Sequence, residues 1–225
     1  MAKTALIIGS TGLVGEQCLE GLLNSVAYDK VIALSRKKIQ SPKAKLQNIV
    51  TDFENLESIA DQLKADDIFC AIGTTIAKAG SKEAFRKVDL ELPLKVAEIT
   101  RKNGAQKFIL VSSLGADASS SVFYNKVKGE LEQALKKLRF DWLVIFRPSI
   151  LLGDRKERRV GEQIGRFVVD KFSFLFSGPF RQYRGTPVYL LGRLMVKIAQ
   201  ETEPSSLETI PLVRIIENEE ILERR

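Results

Sequence analysis

The sequence predicts an α/β protein: a doubly wound parallel sheet with helices on both faces and a small C-terminal lobe. Three observations carry this. Short continuous apolar runs rich in β-branched residues alternate with amphipathic stretches of helical length. A glycine-rich turn, Gly9 to Gly15, joins the first run to the first amphipathic stretch. The 225 residues suffice for one well-buried domain but not for two. Continuous apolar runs, rather than alternating ones, are what strands covered on both faces require.

In chain order, a first strand is expected over residues 4–8 and a first helix over 13–23, opened by the glycine turn. Strands over 31–34, 48–51 and 67–72 follow, the third of these ending in Ala71 and Ile72 before Gly73. A long amphipathic helix covers 85–103, and Gly104 stands where a helix ends in a left-handed residue. A strand over 107–111, a helix over 122–138 and a strand over 142–146 complete the alternation. Beyond Gly153 the pattern changes to Arg-rich and Phe-rich pieces containing Phe167, Phe172, Phe174, Phe176 and Phe180. Pro187 opens a helix to residue 200, residues 207–210 read as a last short strand, and the C-terminus is charged. Residues 1–225 are thus read as one domain, with 153–225 contributing a small lobe on the substrate side.

Composition excludes much chemistry. The chain has no histidine, which removes Ser-His-Asp triads and His-ligated metal sites. Cys18 and Cys70 are the only cysteines, too few for a Cys-only zinc site or a disulfide framework, so no metal site is expected. Acid–base work falls to Asp, Glu, Lys, Tyr or Cys. The apolar start is too short for a signal-peptide core, and no segment reaches membrane-spanning length; the expectation is a cytoplasmic protein with reduced cysteines. The net charge is +7, and residues 147–193 hold ten basic side chains against four acidic ones. That surplus reads as a surface for an anionic small-molecule substrate or as a solvated rim. No nucleic-acid-binding signature accompanies it.

Gly9-Ser10-Thr11-Gly12-Leu13-Val14-Gly15 follows a strand and opens a helix. Glycines there permit a tight turn and a close backbone approach to a pyrophosphate, which rests on the helix N-terminus. The end of the second strand, Leu34-Ser35-Arg36-Lys37-Lys38, has no acid to bind a ribose 2′-hydroxyl and three consecutive cations instead. Arg36 and Lys37 suit a 2′-phosphate, so NADP(H) is expected over NAD(H). Tyr124 and Lys128 lie one helical turn apart on one face. An ammonium beside a phenol favours the phenolate and makes tyrosine a usable acid or base. Ser112 and Ser113 end the strand before them, at the edge where open α/β sheets bind ligands, and Ser113 can hydrogen-bond a substrate oxygen alongside Tyr124.

The order GxxGxxG, strand-end Ser-Ser, then YxxxK resembles the short-chain dehydrogenase/reductase superfamily, whose fold is of Rossmann type. Gly73-Thr74-Thr75, Val88-Asp89, Ser112 to Asp117, Lys126 to Glu130 and Arg147-Pro148-Ser149 resemble more closely its atypical members of the Tat-interacting protein family. The resemblance implies that Gly9, Ser10, Thr11, Gly12, Leu13 and Val14 hold the pyrophosphate, Arg36 and Lys37 the 2′-phosphate, and Asp52 and Phe53 the adenine. It places Ala71, Ile72, Gly73 and Ser112 along the path to the nicotinamide ribose. Ser113, Tyr124 and Lys128 form the implied catalytic trio, with Tyr124 and Lys128 also on the cofactor, and Arg147, Pro148 and Ile150 close over the nicotinamide end. The short stretch between Ser113 and Tyr124 argues against a sugar-nucleotide epimerase. The expectation is an NADP(H)-binding oxidoreductase acting on a carbonyl or alcohol. A non-catalytic NADP(H)-dependent regulator, or a cofactor-dependent isomerase or epimerase, stands as the alternative. The Phe-rich segment reads as an apolar wall, as lobe core or as a contact with a second subunit, which leaves monomer and homodimer open.

Overall fold

Ala5, Leu6, Ile7 and Ile8 are wholly buried in an interior strand of the parallel sheet, which has seven strands among the described residues. The computed structural model describes residues 3–153, 182–201 and 212–224. Strand β1 (Lys3–Ile8) leads through the glycine turn into helix α1 (Leu13–Asn24), then β2 (Tyr28–Ser35), β3 (Leu46–Val50) and β4 (Asp67–Cys70). Two short helices, α2 (Ile76–Ala79) and α3 (Lys82–Arg86), precede a π-helical segment (Lys87–Glu91) and α4 (Leu92–Lys102). Next come β5 (Lys107–Val111), α5 (Phe123–Lys137) and β6 (Trp142–Arg147). Two residues each form β7 (Leu151–Leu152) and β8 (Thr186–Pro187), which pair with each other. Helix α6 (Val188–Ala199), β9 (Leu212–Glu217) and helix α7 (Asn218–Glu223) complete the described chain.

The sheet order is β3-β2-β1-β4-β5-β6-β9, and every pairing is parallel. The order reverses between β1 and β4, which opens a crevice outside their carboxyl ends. Alternate residues of β1 enter two separate cores, as strand geometry demands. Ala5 and Ile7 pack with α1 and α6 on one face. Leu6 and Ile8 pack with α4 and α5 on the other. This is the doubly wound, Rossmann-like α/β fold expected from the sequence.

The long amphipathic helix expected over 85–103 is divided. Its first turns are α3, a π turn intervenes, and Gly104, with φ +97°, ends α4 as anticipated. The Phe-rich residues 167–180 and the strand expected over 207–210 lie outside the described residues. Strand β9 and helix α7, which the sequence reading left as a charged terminus, extend the main sheet beside β6 and cap its edge. Helix α6 packs so closely on α1 that a Cβ on Gly192 would lie 2.6 Å from Gln17 Cβ. Among the described residues after Gly153, α6 thus packs on α1 and β9 pairs with β6.

Candidate functional site

The turn after β1 is shaped by backbone contacts. Gly9 takes φ +82°, and a Cβ there would stand 2.5 Å from the Ala71 carbonyl carbon and the Ile72 nitrogen. A Cβ on Gly15 would stand 2.0 Å from the Gly9 oxygen. The Gly12 N–H donates to that oxygen at 3.0 Å. Gly12 caps α1 and has no side chain to satisfy the first-turn N–H groups, which suits them to an anion. Ser10 is buried, and its hydroxyl has no hydrogen-bond partner among the described residues. Thr11 and Gly12 are exposed, Leu13 half-buried and Val14 buried. A glycine cradle around an orphaned buried hydroxyl fits a bound diphosphate.

At the end of β2, Arg36, Lys37 and Lys38 are all exposed. Ser35, by contrast, faces inward: its hydroxyl donates to the Lys37 carbonyl at 2.7 Å and accepts from Asn48 Nδ2 at 2.8 Å. Asn48 also donates to the Ala33 carbonyl and accepts the Ile39 N–H. One β3 side chain thereby shapes the whole basic loop, a role the sequence reading did not find. Beyond β3, Asp52 is exposed and accepts the Glu54 N–H, and Phe53 is half-buried with φ +70°. Both follow the carboxyl end of β3, and the Thr51 N–H is tied to the Ser35 carbonyl at 3.0 Å.

Ser113, just past β5, is buried, and its hydroxyl has no partner among the described residues. The Leu114 N–H donates to the Pro148 carbonyl at 2.8 Å, which joins this strand end to that of β6. Tyr124 sits in the first turn of α5, half-buried, with its ring 5.5 Å from Phe85. Gly129 lets α5 lie against the intervening loop, because a Cβ there would stand 2.1 Å from the Ala118 nitrogen. Lys128 is buried, with Nζ 2.8 Å from Asp89 Oδ1. Burial works against its charge, but Asp89, then Tyr124 and Cys70, outweigh that and raise its pKa above the lysine value. Ala71 and Ile72 are half-buried, and exposed Gly73 adjoins both members of the pair.

Three of the expected site residues have protein partners that the sequence did not indicate. The Ser112 hydroxyl donates to Glu132 Oε1 at 2.6 Å. The Arg147 guanidinium grips Glu132, at 3.1 Å to Oε1 and 2.6 Å to Oε2, and reaches Glu217 at 2.9 Å. Two carboxylates, one on α5 and one on β9, therefore hold this guanidinium. Lys128 meets a carboxylate that the sequence reading had quoted without assigning it a role. Pro148 is buried and Ile150 half-exposed, the latter accepting the Thr186 N–H through its carbonyl. The missed residues Asp89 and Glu132 left one signal: each is an acid on the apolar stripe of an amphipathic helix.

Residues 9–171 match the profile of a family described as NAD(P)H-binding. The chain is 40% identical to the protein HTATIP2 of Rattus norvegicus over 168 residues, 73% of this chain and 69% of that one. It is 34% identical to the mitochondrial protein FMP52 of Eremothecium gossypii over 224 residues, 97% of this chain and 95% of that one. A short chain dehydrogenase family protein from Francisella tularensis superposes with a TM-score of 0.66 at 15% identity, over 99% of this chain and 100% of that one. The expected cytoplasmic location does not stand: FMP52 relatives from several fungi are named mitochondrial. Among the described residues no helix is long and apolar enough to cross a membrane. None of the acid, cysteine and histidine side chains among them cluster in a way that could hold a metal.

Proposed function

The chain belongs to the NAD(P)H-binding family, and from that premise we propose that it is an NADP(H)-dependent oxidoreductase of a small carbonyl or alcohol substrate. One observation carries the reading: a glycine cradle with an orphaned buried hydroxyl, at Ser10, shares the sheet's carboxyl edge with Ser113 and the Tyr124–Lys128 turn. Gly9 to Val14 hold the diphosphate through backbone N–H groups, and Arg36 and Lys37 hold the 2′-phosphate. When bound, the dinucleotide supplies hydride to a carbonyl carbon or takes it from an alcohol. In the reductive direction the Tyr124 hydroxyl gives its proton to the substrate oxygen. Ser113, whose hydroxyl has no partner among the described residues, orients that oxygen, and the Lys128 ammonium favours the phenolate left on Tyr124.

Thermal unfolding with each dinucleotide tests the cofactor half. NADPH at a hundred times its dissociation constant should stabilise the fold by about 2.7 kcal/mol, and NADH at equal concentration by clearly less. Replacing Arg36 and Lys37 together by Ala should erase that preference; equal shifts with the unaltered protein remove the 2′-phosphate role. The chemical half is tested by Tyr124→Phe, which should abolish NADPH oxidation across a carbonyl panel while NADPH affinity stays within about threefold. Tight NADPH binding with no turnover on any carbonyl would assign the protein to regulation instead.

A further inference from the structure

Asp89 lies in the π segment with no exposure, its Oδ1 2.8 Å from Lys128 Nζ and its Oδ2 accepting the Thr74 N–H at 2.9 Å. A Cβ on Gly73 would meet Asp89 Oδ1 at 3.4 Å and Lys128 Nζ at 3.7 Å. One carboxylate thus ties the turn after β4 to the second turn of α5. Phe85, Asp89 and Leu90 are all buried, and the wider π turn seats an acid on what is otherwise an apolar face.

We propose that Asp89 is a positioning residue for the dinucleotide site, fixing the Lys128 ammonium and the Gly73–Thr74 turn together through one carboxylate. The inference rests on the reading above, in which Lys128 touches the bound dinucleotide. A buried ammonium without a counter-charge gives up its proton, because the interior solvates the neutral amine better than the ion. Three groups face Lys128 from the elements packed on it: Asp89 from the π segment, Tyr124 from its own helix and Cys70 from β4. Cys70 is buried, and burial pushes its thiol up to about 12, so it carries no charge in the working range. Asp89 is the one carboxylate of the three.

Asp89→Asn is the direct test, since the amide oxygen still accepts the Thr74 N–H while the charge is lost. NADPH affinity of the unaltered protein should stay flat from pH 7 to 9.5. That of Asp89→Asn should fall with rising pH, toward about tenfold per unit once Lys128 deprotonates. Parallel affinity curves overturn the proposal, because a merely structural loss would weaken binding equally at every pH. A second measurement needs no ligand: the melting of Asp89→Asn, Lys128→Met and the double variant. Paired charges predict that the double variant loses less than the two single losses combined, and additive losses overturn the pairing. Failure of the unaltered protein to bind NADPH would defeat the proposed function, while the double-mutant cycle would still decide on Asp89.

Discussion

A methyl group added at residue 15 would meet the Gly9 carbonyl oxygen at 2.0 Å, whereas one at residue 12 would lie 3.3 Å from the same atom. The two glycines therefore do different work in one motif: Gly15 lets the helix approach the turn, and Gly12 leaves its exposed side open. Gly15→Ala should destabilise the fold by about 3 kcal/mol in urea titration, because backbone atoms on both sides cannot yield. Gly12→Ala should melt close to the unaltered protein yet bind NADPH at least about tenfold more weakly, the methyl occupying the ligand's side of the turn. Comparable melting of the two variants would show that the motif's glycines are interchangeable. Such roles were legible in the sequence because they depend on neighbours a few residues apart. Those of Ser112 and Arg147 were not, because the group that claims both, Glu132, is set by the docking of α5 on the strand ends. A strand-end serine and an Arg-Pro pair look alike whether they face a ligand or a buried acid.

At the scale of the element, α5 presents Tyr124, Lys128 and Glu132 at successive four-residue steps, so one helix carries the proposed acid–base pair and the anchor beneath it. Glu132 is almost fully buried at the side chain, 2%, whereas Arg147 retains 21% exposure and a second partner in Glu217. The hydrogen bonds that Arg147 donates to Glu132 lead the effects that raise the Arg147 pKa above the ordinary arginine value. The burial difference makes the pair asymmetric to mutation. Arg147→Leu strands a carboxylate in the interior and should cost about 3–5 kcal/mol. Glu132→Gln keeps the Ser112 contact and leaves Arg147 with Glu217 and water, so it should cost clearly less. Urea unfolding of the two variants measures this directly, and equal losses would show that Arg147 rather than Glu132 bears the burial cost. The π turn before α4 does have a local signal: Pro93, in the first turn of α4, has no N–H to give the carbonyl four residues back, and a helix read straight through 85–103 passes over it.

For the molecule as a whole, the sheet's two ends have different chemistry. Its carboxyl end gathers the residues proposed to hold the dinucleotide, and their shared edge was legible because strand–helix alternation dictates topology and topology dictates where the crevice opens. Strand β9 escaped because Arg214 and Glu217 interrupt its apolar run; the fold answers them with Glu201 and Glu220 for the first and Arg147 for the second. The amino end holds a polar cluster that no motif announced. Asp67, first in β4, is fully buried, accepts the Tyr28 hydroxyl at 2.7 Å and lies 3.7 Å from Lys3 Nζ. Lys107, first in β5, donates to the Ala199 carbonyl and sits over the Trp142 ring. Burial raises the Asp67 carboxyl above its ordinary range, against the opposing pull of Tyr28, Lys3 and Lys107. The folded protein thus binds this proton more readily than the unfolded chain. The resulting stability is complete below the unfolded value of about 3.9 and is lost as pH rises through the folded value. Asp67→Asn keeps an acceptor for Tyr28 and removes the titration. The melting temperature of the unaltered protein minus that of Asp67→Asn should therefore shrink as pH rises from 4 to 7. A gap that widens over that range would mean that Lys3 and Lys107 outweigh burial, and that the amino end is held together by charge rather than strained by it.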